Sequence, residues 1–263
     1  MSENLQDILV HTEAGVTTLT FNRVEKKNSF TEVMYGAMAD VLQAAAQDAG
    51  VRCVVIQGDA TVFSAGNDIG DFLRQGQSAQ PADMTERPVW RFLKAIASFP
   101  KPLVAAVCGP AVGVGTTLLL HCDLVYAGDN AAFALPFVNL GLCPEAASSL
   151  LLPRMFGMHR AAEALMLGEP FMAEAALEVG LVNRVVPPTE CNALAQQQAR
   201  KLAAKPLSSL MATKRLMKGA QTEQVLQVML DESREFGRLM REPAAREAFG
   251  AFLEKRKPDF SGM

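Results

Sequence analysis

The period of the apolar positions changes several times along this chain, and each change predicts a change of element. Over residues 8–23, Thr17, Leu19 and Phe21 alternate with polar neighbours beyond the turn Glu13-Ala14-Gly15, which predicts a β-hairpin. Ser29-Phe30-Thr31-Glu32 reads as a capping box with Ser29 as the cap. The helix it opens places Val33, Ala37 and Val41 on one stripe and ends near Gly50. Residues 51–57 and 103–107 are short apolar runs of strand length, each leading into a glycine turn. A helix over about 114–121 and a strand over 124–126 follow, while residues 74–88 are polar, carry two prolines and read as a surface loop. From Thr189 the pattern is helical, punctuated by Pro206, Gly219 and Pro243. Val225, Met229, Phe236 and Met240 form a stripe there that needs a partner. Strands alternating with helices predict an α/β layered core.

Composition narrows the picture. A chain of 263 residues buries a large core in one domain with an appendage. A net charge of −3 gives no basis for binding nucleic acid or an anionic membrane surface. No apolar stretch approaches about 18 residues, so no membrane span is expected. The start, Met1-Ser2-Glu3-Asn4, lacks the basic and apolar regions of a secretory signal, and Ser261-Gly262-Met263 is no peroxisomal tripeptide. A cytoplasmic protein is the expectation. The five cysteines, Cys53, Cys108, Cys122, Cys143 and Cys191, show no metal-type spacing and read as reduced thiols packed in apolar runs. His11, His121 and His159 show no ligand spacing either, and no metal is expected.

Candidate chemistry gathers in two glycine turns and one acid. The turns are Phe63-Ser64-Ala65-Gly66-Asn67-Asp68-Ile69 and Gly109-Pro110-Ala111-Val112-Gly113-Val114-Gly115; the acid is Glu145, in Gly141-Leu142-Cys143-Pro144-Glu145. Small residues let a ligand approach backbone N–H groups, and the second turn also opens a helix whose first N–H groups lack partners. Read from spacing alone, these are equally ordinary tight turns. Glu145 after Pro144 is equally an acid complementing a helix N-terminus. The functional reading needs Glu145 in an apolar pocket, where desolvation raises its pKa toward that of a base. The third glycine of a dinucleotide fingerprint is missing, since Leu118 holds that position, and no P-loop or nucleophile elbow is present. Lys255-Arg256-Lys257 is either a solvated charge run or an anchor for phosphates.

Taken together, the segments from Thr20 to Asn28, both glycine turns, Cys122-Asp123-Leu124-Val125-Tyr126-Ala127, Ala176-Leu177-Glu178-Val179-Gly180-Leu181-Val182 and the tail Phe252 to Pro258 resemble the enoyl-CoA hydratase/isomerase (crotonase) superfamily. The resemblance covers nearly the whole chain. It implies a crotonase-like spiral of ββα units over residues 1–195 and a helical oligomerisation region over 196–263, in homotrimers or homohexamers. It implies an acyl-CoA thioester substrate, with coenzyme A arriving as part of it and no separate cofactor.

The resemblance also implies residue roles. The N–H groups of Asn67 and Val114 would form an oxyanion hole, with valine standing where the family usually has glycine. Ala65, Gly66, Asn67, Asp68, Ile69 and Val114 would line the substrate, and Lys255 would reach the coenzyme A of a neighbouring subunit. Hydratases of the family carry two glutamates, and those positions are Thr117 and Phe137 here. The stretch from Pro136 to Glu145 looks instead like the peroxisomal-type Δ3,Δ2-enoyl-CoA isomerases, which places the single catalytic acid at Glu145. Another crotonase-type reaction (hydration, hydrolysis or ring isomerisation) and a non-catalytic acyl-CoA-binding protein stand as alternatives.

Overall fold

In the computed structural model, which describes residues 7–71 and 87–263, the chain winds so that successive turns add strands to two sheets. The larger holds six strands: β1 (Ile8–Glu13), β2 (Val16–Phe21), β3 (Cys53–Gln57), β4 (Leu103–Val107), β6 (Leu124–Gly128) and β9 (Arg184–Val186), in that spatial order. The smaller holds β5 (Pro110–Val112), β7 (Ala132–Ala134) and β8 (Phe171–Met172). Among the described residues, only the β1–β2 hairpin and the β7–β8 pair are antiparallel. The hairpin closes in register Glu13↔Val16 through Ala14 and Gly15, both left-handed, as two-residue hairpin loops favour.

The helices described from end to end include α1 (Glu32–Gln47), α2 (Pro88–Ala97), α3 (Val114–Thr117), α4 (Ser148–Phe156), α5 (Met158–Ala162), α6 (Ala173–Glu178), α7 (Pro188–Ala203), α8 (Leu207–Leu239) and α9 (Pro243–Leu253). α3 tightens directly into a 3₁₀ turn over Leu118–His121. No helix among the described residues is long and apolar enough to cross a membrane.

Strand periodicity builds two cores. Val16, Cys53, Val55, Val104, Ala106 and Tyr126 face α7, which presents Cys191, Ala195, Ala199 and Ala203. The small alanines let the helix lie close on the sheet. Leu19, Val54, Ile56, Ala105 and Val107 face the other way, into the main core with Met34, Met38, Leu42, Phe92 and Ile96 from α1 and α2. Strands buried on both faces read as continuous apolar runs. α7 runs unbroken through position 195, and the chain leaves it at Ala204 to Pro206.

Several sequence expectations change. Thr31 caps α1, its hydroxyl accepting from the Met34 N–H at 3.3 Å, and Ser29 turns instead toward Arg23 and Asp68. The buried stripe of α1 is Met34, Tyr35, Met38, Ala39, Leu42 and Ala45, whereas Val33 is 45% exposed. The stripe that carries Met34, Tyr35, Met38 and Leu42 takes the core face over the one with Val33, Ala37 and Val41, because it removes more apolar surface from water. Gly219 lies inside α8 without interrupting it; one exposed glycine costs a helix about 1 kcal/mol, too little to break it. The expected loop ends by Pro88, the first residue of α2, and residues 74–86 lie outside the described residues.

Gly109 has φ +64°, and a Cβ there would stand 1.8 Å from the carbonyl oxygen of Thr61. Gly109→Ala therefore combines left-handed strain of about 1–2 kcal/mol with a backbone clash. We expect a loss of at least about 2 kcal/mol in the free energy of unfolding, measured by urea denaturation.

Candidate active site

The two glycine turns meet because backbone hydrogen bonds sew them together. Ser64 forms a parallel bridge to Ala111. Its N–H donates to the Pro110 carbonyl at 2.9 Å, and its carbonyl accepts from the Val112 N–H at 2.9 Å. Phe30 forms a second parallel bridge to Asn67: the Phe30 N–H donates to the Gly66 carbonyl and its carbonyl accepts from the Asp68 N–H. These two bridges carry the small sheet outward past β5, from one turn of the spiral to the next.

Glycine is required at this seam. Gly66 has φ +85°, and a Cβ would sit 2.7 Å from the Val112 carbonyl oxygen. A Cβ on Gly115 would lie 3.1 Å from both the Cβ and the carbonyl oxygen of Ser64. The turns are thus in direct contact.

Their N–H groups follow from this pairing. Gly66 and Asp68 spend their polar groups on Phe30, which turns the Asn67 N–H to the opposite side in a parallel bridge. Val114 is the first residue of α3, where N–H groups lack partners within the helix. Gly113, at φ 55° and ψ −118°, makes the corner, and its own N–H donates to Ala134. The first turn is also locked from outside. Buried Asn28 donates to the carbonyls of Val62 and Phe63, and its own carbonyl accepts the Ser64 hydroxyl. Asp68 pairs with Arg23 at 2.8 Å, which draws its carboxyl below the usual range against the opposing effect of burial. Ala65 donates its N–H to Lys27, and Ile69 packs against the core.

Glu145 is half-buried between elements far apart in sequence. The Thr117 hydroxyl, on α3, donates to Glu145 Oε1 at 2.7 Å. Desolvation pushes the Glu145 carboxyl up to about 7; the Thr117 hydrogen bond opposes this and the charge of Glu232 adds to it. Tyr35, on α1, donates to Asn67 Oδ1 at 2.5 Å and feels the charge of Glu145, which links the first turn and the acid. Phe137 is buried, and its ring would lie 4.0 Å from a Cβ built on Gly113. The structure therefore brings Glu145, Thr117, Asn67 and the Val114 turn into one neighbourhood. Lys255 stands apart, exposed and left-handed beyond the end of α9, while Arg256 beside it is paired with Glu247 and Glu254.

Glu145 does not open a helix. α4 begins at Ser148, and Ala146 and Ala147 intervene in left-handed conformation. Its raised pKa is thus not opposed by a place in the first helical turn. Sequence reading missed three neighbours: Tyr35, His121 as a partner of this segment, and Glu232. A signal existed for Glu232, since it falls on the α8 stripe three residues after Met229 and four before Phe236. A charged residue on a buried stripe needs partners. Among the described residues, no group of three or more potential ligands suits a metal ion.

A family model described as enoyl-CoA hydratase/isomerase matches residues 11–263, and the chain belongs to that family. It is 38% identical over 263 residues to the 1,2-epoxyphenylacetyl-CoA isomerase of Escherichia coli K12, covering 98% of this chain and 99% of the relative. It is 37% identical to enoyl-CoA delta isomerase 2 of Rattus norvegicus over 88% of this chain and 59% of that protein. The solved structure of OdaA from Pseudomonas aeruginosa superposes with a TM-score of 0.90 at 46% identity, covering 94% of this chain and 99% of that one. The fold is the crotonase fold, and the chain is a crotonase-family acyl-CoA enzyme.

The raised pKa has a consequence for stability. A carboxyl with a folded pKa near 7 binds more protons in the folded than in the unfolded chain between about pH 4.5 and 7. Its contribution to stability therefore falls as pH rises through that window. Glu145→Gln, whose amide oxygen still accepts from Thr117, should raise Tm relative to wild type at pH 8 and lose that advantage at pH 5, as read by calorimetry.

Proposed function

We propose that this enzyme moves the double bond of a 3-enoyl-CoA to the trans-2 position, with Glu145 as the single proton carrier. The carboxylate takes a proton from C2, and the C2–H electrons delocalise over C3, C4 and the thioester as a dienolate. The charge falls on the thioester oxygen, where the N–H groups of Asn67 and Val114 donate to it. Glu145 then returns the same proton to C4, leaving the double bond between C2 and C3. Atoms balance without water, metal or redox cofactor, and coenzyme A enters only as the carrier of the acyl group. A single carboxyl serves both carbons because they flank one allylic unit.

The observation that carries this reading is the hydrogen bond from Thr117 to Glu145. Thr117 stands where the resemblance expects a hydratase glutamate, and it spends its hydroxyl on the one acid that remains. Phe137, at the other hydratase position, is buried and apolar. Neither can activate water. Two main-chain donors suit the developing oxyanion, and loss of one such donor typically costs about 3–4 kcal/mol of transition-state stabilisation. A ring-isomerising reaction is the second reading, favoured by full-length similarity to an epoxyphenylacetyl-CoA isomerase. The same reading extends to substrate contacts along Ala65, Gly66, Asp68 and Ile69, and to a homotrimer or homohexamer in which Lys255 reaches a neighbour's coenzyme A. Exposed Met158, Met166, Leu167 and Met172 supply an apolar surface consistent with self-association.

Appearance of conjugated enoyl-thioester absorbance from 3-enoyl-CoA substrates is the expected result. Glu145→Gln should lower kcat by at least about a thousandfold, within what transition-state arithmetic assigns to loss of a base and its field. A glutamine variant with near wild-type turnover overturns the assignment. Turnover of an aryl-epoxide acyl-CoA alone, with no 3-enoyl-CoA isomerised, favours the second reading. Activity of the wild type should fall as pH drops through about 7, because only the ionised carboxylate accepts a proton.

A further inference from the structure

Glu145 is followed by a backbone that does not hold itself in place. Ala146 and Ala147 have φ 58° and 57°, and each such residue with a Cβ costs about 1–2 kcal/mol. Consecutive left-handed alanines persist only where their surroundings over-determine them.

The surroundings are on the page. Glu232, only 8% exposed on α8, accepts the Ala147 N–H at 2.6 Å, the Ser149 N–H at 3.0 Å and the Ser149 hydroxyl at 2.5 Å. The Cys143 thiol, on the other side of Glu145, donates to the main-chain carbonyl of the same residue at 3.8 Å. His121 completes the hold. A carbonyl can only accept, so its Nε2–H donates to Ala146 at 2.8 Å. One residue of α8 thus grips the chain on both sides of the acid.

We infer that Glu232 is a positioning residue for Glu145, fixing the 146–149 segment and supplying the negative charge against which the base works. The inference rests on the reading of Glu145 as the base. The titratable groups packed around the acid single Glu232 out. Tyr35, from α1, is held protonated by burial; His121, after α3, is pushed down to about 4 by burial; Cys143, in the same segment, is pushed up to about 11 by burial. All three are neutral between pH 5 and 8. Glu235 and Arg238 lie further along α8, and both act on Cys143. Burial raises Glu232 itself, but its three donors favour the ionised form.

The test is the pH dependence of kcat for 3-enoyl-CoA isomerisation in wild type, Glu232→Gln and Ser149→Ala. Glutamine keeps the shape but loses the charge and one acceptor oxygen. We expect kcat to fall about tenfold or more with KM little changed, and the acid limb to move to lower pH. Ser149→Ala keeps the charge and both main-chain bonds, so its limb should stay in place and its kcat fall less. If Glu232→Gln lowers Tm but leaves the limb where wild type has it, Glu232 is merely structural and the inference is overturned. Should that variant not accumulate as folded protein, Glu232→Asp is read instead: a lowered kcat with an unmoved limb supports the inference, and an unmoved kcat overturns it. A wild type with no acid limb, or an active Glu145→Gln, defeats the base assignment itself and is distinguishable from both.

Discussion

The site depends on one contact, the pairing of Ser64 with Ala111 that holds two glycine turns against each other. Neither turn alone brings the N–H groups of Asn67 and Val114 together; that needs a seam. That seam exists because the spiral returns the chain beside itself one turn later, where main-chain groups of residues 64 and 112 are in hydrogen-bonding distance. Glycine at position 66 is the steric condition for closing it, since a Cβ there would strike the facing main chain, and Gly115 fits against Ser64 with little room to spare. The six-stranded sheet and its two cores fix where the seam lies. The hydrogen bonds of Asn28 and the Arg23–Asp68 pair then stiffen the rim.

Against this rigid seam, the acid is set by competing effects. Burial raises the Glu145 carboxyl and favours its protonated form. The Thr117 hydroxyl stabilises the anion, Glu232 opposes it, and the result lies near neutrality. A carboxyl balanced there loses a proton readily and is still basic enough to take one from an activated carbon. Val114 enters the same balance passively. Its N–H is one that any residue there would supply, while its buried side chain joins the main core.

Much of this is legible in the sequence. The apolar runs at 51–57 and 103–107, the hairpin turn at Glu13-Ala14-Gly15 and both glycine turns follow from local rules of period and backbone freedom; the second run is strand from end to end, and the first pairs only from Cys53 onward. The registers of α1 and α4 were not legible. Choosing Thr31 over Ser29 as the cap depends on Arg23 and Asp68 claiming the serine. The helix after Pro144 starts late because residues distant in sequence hold Ala146 and Ala147 in conformations that alanine does not adopt unaided. Convergence of Thr117, Tyr35 and Glu232 on one carboxyl joins four separate elements, and no local pattern encodes such a meeting. The anomaly of an acid on an apolar helical stripe was the one trace of it.

The first turn of α9 lies flush on the loop that leads to Glu145. A Cβ at Gly141 would stand 2.7 Å from the main-chain nitrogen of Ala245, so the last helix and the segment that carries Glu145 share a mechanical boundary four residues from that acid. Whatever reshapes that helix, by cleavage, by a fused tag or by another subunit leaning on it, reaches the Glu145 segment through this main-chain contact. Helix α9 is in this sense a buttress of the loop that carries Glu145.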